Sequence, residues 1–228
     1  MDKKRAIISI ASKSIVFLSA TVGTILSVTA AKGAFMRGSQ IFMYFTIQSN
    51  IAIALILLIG LFFMLSKKMP GRAWWVVKFV GTVSITLTGS VFVFVLAPTL
   101  GELAWSAANI LTHVVVPVIS ICDFFLTGPL GTYTYRDVFF CILPPLAYAI
   151  FAGIGYAAGW EFSEGANYPY FFLNWGSPAG AFGFSKELPF MGCVWWILLL
   201  LLVLIGVGAL YLRIVSGIRS KRKPGRSD

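Results

Sequence analysis

Residues 44–65 read YFTIQSNIAIALILLIGLFFML, and the last fifteen of them, from Ile51 to Leu65, carry no polar side chain. Crossing about 30 Å of hydrocarbon takes roughly 20 apolar residues as a helix. The run therefore reads as a membrane span, although it opens with Thr46, Gln48, Ser49 and Asn50 crowded together. The rest of the chain agrees. Over 228 residues it is 58% hydrophobic and 11% charged, with a mean hydropathy of +0.88, whereas soluble domains are roughly one-quarter charged. Further apolar runs at about 14–31, 74–98, 105–126, 137–158 and 189–212, with 41–65, make six. Surrounded by lipid, each must be a helix, because every backbone polar group needs a partner within the segment. The expected fold is all-α: one domain, an integral membrane bundle of six transmembrane helices with no internal repeat.

The opening MDKKRAIISIASKSIVFLSA resembles a secretory signal, with a basic head before an apolar run. The run is longer than such a leader and continues past Lys13, whose stem can reach back to the interface. It is read as a retained first helix. Fifteen of the eighteen Lys and Arg residues then fall on one side. They are Lys3, Lys4, Arg5 and Lys13, then Lys67, Lys68, Arg72 and Lys78, then Arg136, and finally Arg213 to Arg226. Lys32, Arg37 and Lys186 are left for the other side. Basic loops stay in the cytoplasm, so both termini are expected there. The net charge of +10 is an insertion signal with a basic tail (213–228) able to touch membrane lipids, and calls for no nucleic acid. Cys122, Cys141 and Cys193 lack metal-site spacing, so neither metal nor cofactor is expected.

Between the fifth and sixth helices, about 159–188, lies a long outer loop rich in aromatic residues, among them Trp160, Tyr168, Tyr170, Phe172 and Trp175. Rings of this kind suit the headgroup layer. The loop reads either as an interfacial belt or as a lid over a lipid-shaped cavity.

The intramembrane polar residues, hydroxyls apart, are Gln48, Asn50, Asn109, His113 and Asp123. His113 is the single histidine. At 1.5 Å per residue it lies about 12 Å in from Trp105, and Thr46 about 8 Å in from Ile41 on a helix descending from the same side. Asn50 stands one turn below Thr46, and Asn109 one turn above His113. Helices two and four thus share a polar site in the outer half of the bilayer. Plainer readings exist for each residue: Thr46 can bond the Phe42 carbonyl, Asn50 can tie helices together, His113 can be a satisfied core residue, and Pro117 can merely kink its helix. Asp123, about 15 Å along the axis from His113, is too far to orient it and reads as structural at the inner face.

YFTIQSN in helix two, HVVVPVISICDF in helix four and YPYFFLN in the outer loop resemble the androgen-induced protein family and its bacterial six-helix relatives. Animal members are intramembrane threonine hydrolases that cleave fatty acid esters of hydroxy fatty acids. The resemblance implies Thr46 as nucleophile and His113 as its base, a lipid ester as substrate, and a bacterial plasma membrane as location. Asn50 or Gln48 would supply oxyanion donors, with Asn109, Tyr168 and Tyr170 lining the substrate site. The alternative is a small-molecule transporter or a non-catalytic lipid-binding membrane protein; a transporter would be expected to show interrupted helices or several midplane charges.

Overall fold

The structure is a computed structural model that describes residues 2–31 and 38–222. Among the described residues, six helices are long and apolar enough to cross a membrane, so the chain is a multi-pass, all-α membrane protein. They are α1 (Lys3–Ala31), α2 (Phe45–Leu65), α3 (Arg72–Leu100), α4 (Ala107–Leu130), α5 (Tyr135–Ala157) and α6 (Cys193–Arg222). The α2–α3 and α4–α5 turns meet at one end of the bundle, where Trp75 packs close to Gly131. Arg219, near the end of α6, donates to the carbonyls of Pro129 and Gly131 there. The starts of α1 and the end of α6 share this terminal end; the long 158–192 segment covers the opposite, loop end.

Several boundaries differ from the hydropathy reading. α1 begins at Lys3 rather than 14, and α6 runs ten residues past 212, to Arg222. Helical backbone continues through Lys, Arg and Ser, which hydropathy cannot see. α2 begins at Phe45 rather than 41: Gln40–Met43 is a separate tight turn, ended by Tyr44 in extended conformation. The larger correction concerns Lys13 and Lys78, counted above as interfacial charges. Both lie inside the bundle, 2% and 0% exposed. Lys32, Arg37, Lys223 and Arg226 lie outside the described residues.

α1 packs against α2 and α4, α2 against α3, and α3 against α4 and α6. Lipid tails are as apolar as leucine, so packing and close approach hold such helices together rather than expulsion from water. Two glycines fix α4 between its neighbours. A Cβ on Gly23 of α1 would stand 2.7 Å from Thr112 Cγ2, and one on Gly89 of α3 would stand 3.0 Å from the His113 carbonyl oxygen. The crossings at this level are therefore set by backbone. Below, Phe79, Phe124, Leu204 and Tyr211 fill the α3–α4–α6 core, while Ile53, Leu57, Ile85 and Val116 join α2, α3 and α4.

The aromatic loop divides in two. Phe162, Phe172 and Leu173 are buried against Tyr148 and Ala152 of α5. Phe182 and Phe184, by contrast, are 64% and 75% exposed and gather around Trp195. The first half is a roof on the bundle; the second has the character of an interfacial belt.

Candidate active site

Thr46 is the second residue of α2, where N–H groups lack intrahelical acceptors. Ile47 and Gln48 both donate to the Tyr44 carbonyl at 3.1 Å. The Thr46 N–H instead donates to the Tyr170 hydroxyl of the roof at 3.3 Å, and that hydroxyl is 3.4 Å from Thr46 Oγ1.

Pro117 shapes the facing helix. A proline offers no N–H, and its ring clashes with the carbonyl four residues back. α4 widens into a π-helical turn over Leu111–Val115, so that the Val116 N–H reaches the Leu111 carbonyl five residues back. The Thr112 carbonyl then has no helical donor, since Val116 is engaged elsewhere and Pro117 has none to give. Asn50 fills the gap: its Nδ2 donates to the Thr112 carbonyl at 3.0 Å and to the Thr46 carbonyl at 2.8 Å. α3 repeats the device one helix away, where a π turn over Phe92–Leu96 precedes Pro98 and the Ala97 N–H bonds the Phe92 carbonyl.

These two distortions meet at His113. Its ring stacks on Phe92, centroids 3.9 Å apart at 21°. Nδ1 lies 3.1 Å from Thr112 Oγ1 and 3.2 Å from the Asn109 carbonyl. The Thr112 hydroxyl already donates its hydrogen to the Ala108 carbonyl at 2.8 Å. Both Nδ1 partners can therefore only accept, which puts the ring hydrogen on Nδ1. Nε2 is left as an acceptor, 3.2 Å from Thr46 Oγ1. This is the tautomer a general base needs. His113 is 8% exposed, and Thr46 is half-buried.

A small apolar cavity of about 60 Å³ opens beside Thr46, bounded by Leu87, Val91, Tyr148, Phe172 and Leu200. Burial raises the Tyr170 phenol above its ordinary pKa and pushes that of Tyr44 up to about 12. Tyr170 therefore stands over Thr46 as a neutral hydroxyl.

The structure brings Thr46, His113, Asn50, Asn109 and Tyr170 together. Asn109 acts through its backbone, its carbonyl holding Nδ1 of His113. Asn50 does not present free N–H groups to an oxyanion, since both amide hydrogens already go to carbonyls; its position ties α2 to α4. Gln48 is exposed and donates to the Phe42 carbonyl at 3.0 Å, away from His113. Two residues along a helix is about 200° around it, which turns Gln48 from Thr46. Tyr168 is half-buried near Tyr44; the hydroxyl reaching Thr46 is that of Tyr170. Thr112 and Phe92 escaped the sequence reading. The signal for Thr112 was its adjacency to His113; for Phe92 there was none.

Asp123, read from the sequence as structural at the inner face, is 0% exposed and lies at the centre of a buried cluster. Lys13 and Lys78 each place Nζ 2.5 Å from one of its carboxylate oxygens. Among the described residues, no group of three or more His, Cys, Asp or Glu could hold a metal ion. No family model matches the chain, and no characterised protein or solved structure does either.

Proposed function

We propose that the protein is an intramembrane hydrolase of a lipid ester, of the type joining a fatty acid to a hydroxy fatty acid. The observation that carries the reading is the 3.2 Å contact between Thr46 Oγ1 and an Nε2 whose tautomer leaves it an acceptor. The resemblance of the motifs around these residues supports it, as does the apolar cavity that reaches Thr46.

A threonine hydroxyl is a weak nucleophile until a base takes its proton. As Oγ1 attacks the ester carbonyl, its proton passes to His113 Nε2, while the Asn109 carbonyl and Thr112 hydroxyl hold Nδ1–H and keep the ring oriented. Negative charge develops on the former carbonyl oxygen. The Tyr170 O–H, 3.4 Å from Oγ1, is the donor for it, joined by the Thr46 N–H at the positive end of the α2 dipole once that group turns from the Tyr170 oxygen. When the carbon–oxygen bond breaks, His113 returns the proton to the departing alkoxide. Water, deprotonated by His113, then attacks the acyl-threonine, and the carboxylic acid leaves with Thr46 restored. The carbons next to the ester lie in the cavity, which at about 60 Å³ does not hold a whole acyl chain, and each methylene buried there adds about 0.8 kcal/mol. The basic asymmetry supports cytoplasmic termini in a bacterial plasma membrane, with substrate entering from the outer leaflet beneath the roof.

A transporter or non-catalytic lipid-binding reading has one observation in its favour: three charges, Lys13, Lys78 and Asp123, buried within the spans. Turnover separates the two. Purified protein in detergent is offered long-chain branched esters, and products are followed by mass spectrometry. Release of acid and hydroxy acid that disappears in both Thr46→Ala and His113→Ala supports the hydrolase; binding without turnover in the native protein overturns it.

A further inference from the structure

At the terminal end of the bundle, far from His113, lies a second cavity of about 430 Å³, within the roughly 300–1,000 Å³ typical of ligand sites. Lys13, Lys78, Lys67, Lys68 and Trp74 line it, with Phe63, Met64 and Leu130 forming apolar wall. Its chemistry is one-sided. Lys13 and Lys78 share a single carboxylate, that of Asp123, so two buried cations face one buried anion. A charge left uncompensated at this depth is expensive.

Each ammonium carries three hydrogens. Lys13 directs one to Ser9 Oγ and one to Asp123 Oδ1, both at 2.5 Å. Lys78 directs one to Asp123 Oδ2 and one to Thr127 Oγ1, at 2.5 and 2.6 Å. That leaves one hydrogen on each, and the Lys78 ammonium also stands 5.6 Å from the centre of the Trp74 ring. The indole N–H of Trp74 is buried and has no hydrogen-bond partner. Lys67 and Lys68, both exposed, add two more positive charges at the α2–α3 turn. Asp123 accepts from Ser9, Lys13 and Lys78, so the unsatisfied capacity of the wall is for donating.

We propose that this cavity binds the phosphate of an anionic phospholipid. A phosphodiester brings one negative charge, which balances the buried cluster behind the cavity wall, and two oxygens able to accept from the exposed ammonium groups of Lys67 and Lys68. The apolar wall then takes the glyceryl end and the start of the acyl chains. A soluble phosphate would satisfy the donors equally but has no use for Phe63, Met64 and Leu130, which is why a lipid is the better occupant. The proposal does not depend on the hydrolase reading.

The test is thermal melting of the full chain in an uncharged detergent, with phosphatidylglycerol titrated into the micelles. Phosphatidylcholine of the same chains and soluble glycerol phosphate form the other arms. Phosphatidylglycerol should raise the melting temperature by several degrees, saturably, and the other two should not. In Lys67→Gln/Lys68→Gln, both exposed positions, the midpoint of that titration should move up on the order of tenfold. In Lys13→Met, the remaining Lys78–Asp123 pair is neutral and the saturable shift should vanish. Native mass spectrometry should show a retained anionic phospholipid in the wild type, less of it in Lys67→Gln/Lys68→Gln and none in Lys13→Met. Equal shifts with both phospholipids overturn the proposal, as does a wild-type response in the Lys67/Lys68 variant. A full shift with glycerol phosphate overturns the lipid as the source. Should Lys13→Met not fold, the Lys67/Lys68 variant decides alone.

Discussion

The bundle buries two polar groups of opposite character. At the loop end, Thr46, His113 and Tyr170 form a neutral chain of hydroxyl, imidazole and phenol, whose contacts run from 3.1 to 3.4 Å. At the terminal end, Ser9, Lys13, Lys78 and Asp123 form a charged cluster drawn in to 2.5–2.7 Å. Charge explains the contrast. Buried ions must be tightly paired to persist in hydrocarbon, and such a cluster is rigid. Neutral groups tolerate looser contacts, leaving room for a reacting carbonyl to slip among them and for protons to shift. A membrane protein can thus hold one polar cluster as a fastening and another as a workplace.

Breaking the neutral chain should abolish chemistry without unfolding the protein. Thr46→Ala and His113→Ala should each lower kcat for ester hydrolysis by about 10⁴-fold or more, with melting temperatures near wild type. The double variant should be little worse than either single one; substantial turnover by a single variant would remove that residue from the reaction. The charged cluster should behave in the reverse way. Asp123→Ala leaves two buried cations unpaired and should destabilise the fold by about 3–5 kcal/mol, read as loss of monodisperse protein on size exclusion. Replacing all three charges together, as Lys13→Met, Lys78→Met and Asp123→Leu, should restore most of that stability.

Two smaller effects sharpen the comparison. Tyr170→Phe removes one candidate oxyanion donor and should cost about 10²-fold in kcat, with KM little changed; an unchanged kcat would leave Tyr170 as roof alone. Burial disfavours the phenolate, so the Tyr170 pKa is raised and the phenol stays protonated beyond the pH at which free tyrosine ionises. The wild-type rate should therefore show no fall near pH 10, and the Tyr170→Phe profile should have the same shape. The smallest change is Asn50→Leu, which strips donors from the Thr46 and Thr112 carbonyls. It should lower stability by about 1–3 kcal/mol, seen as a drop in melting temperature, with the shortfall in activity following from loosened α2–α4 registry.

Six spans were legible because apolar runs of this length have few other uses, and the meeting of Thr46 with His113 was legible from their similar depths on helices entering from one side. What hydropathy missed is a matter of partners. Lys13 and Asp123 are 110 residues apart, and Lys78 and Asp123 are 45 apart, so no local pattern joins them. The lysines were assigned to the interface because long stems usually reach it. Each nevertheless stands inside an apolar run with Asp123 in a third, and intramembrane charges of opposite sign are their own best partners. Pro117 was legible as a kink, but not as the cause of a freed carbonyl that gives Asn50 its place.

The π turn at Leu111–Val115 also has a reading in terms of counting. Such a turn is an ordinary helix with one residue added, and each residue of helix advances about 100° around the axis. Removing a single residue between 111 and 116 would rotate everything before it by that angle against everything after, with Pro117 still unable to donate to the turn before it. Asn109 and Thr112 would swing away from the side on which Pro117, Ser120 and Asp123 lie. The distance between a helix that merely spans the membrane and one that presents a held imidazole to Thr46 is thus one codon, and the roof, the cavity and α2 could stay as they are.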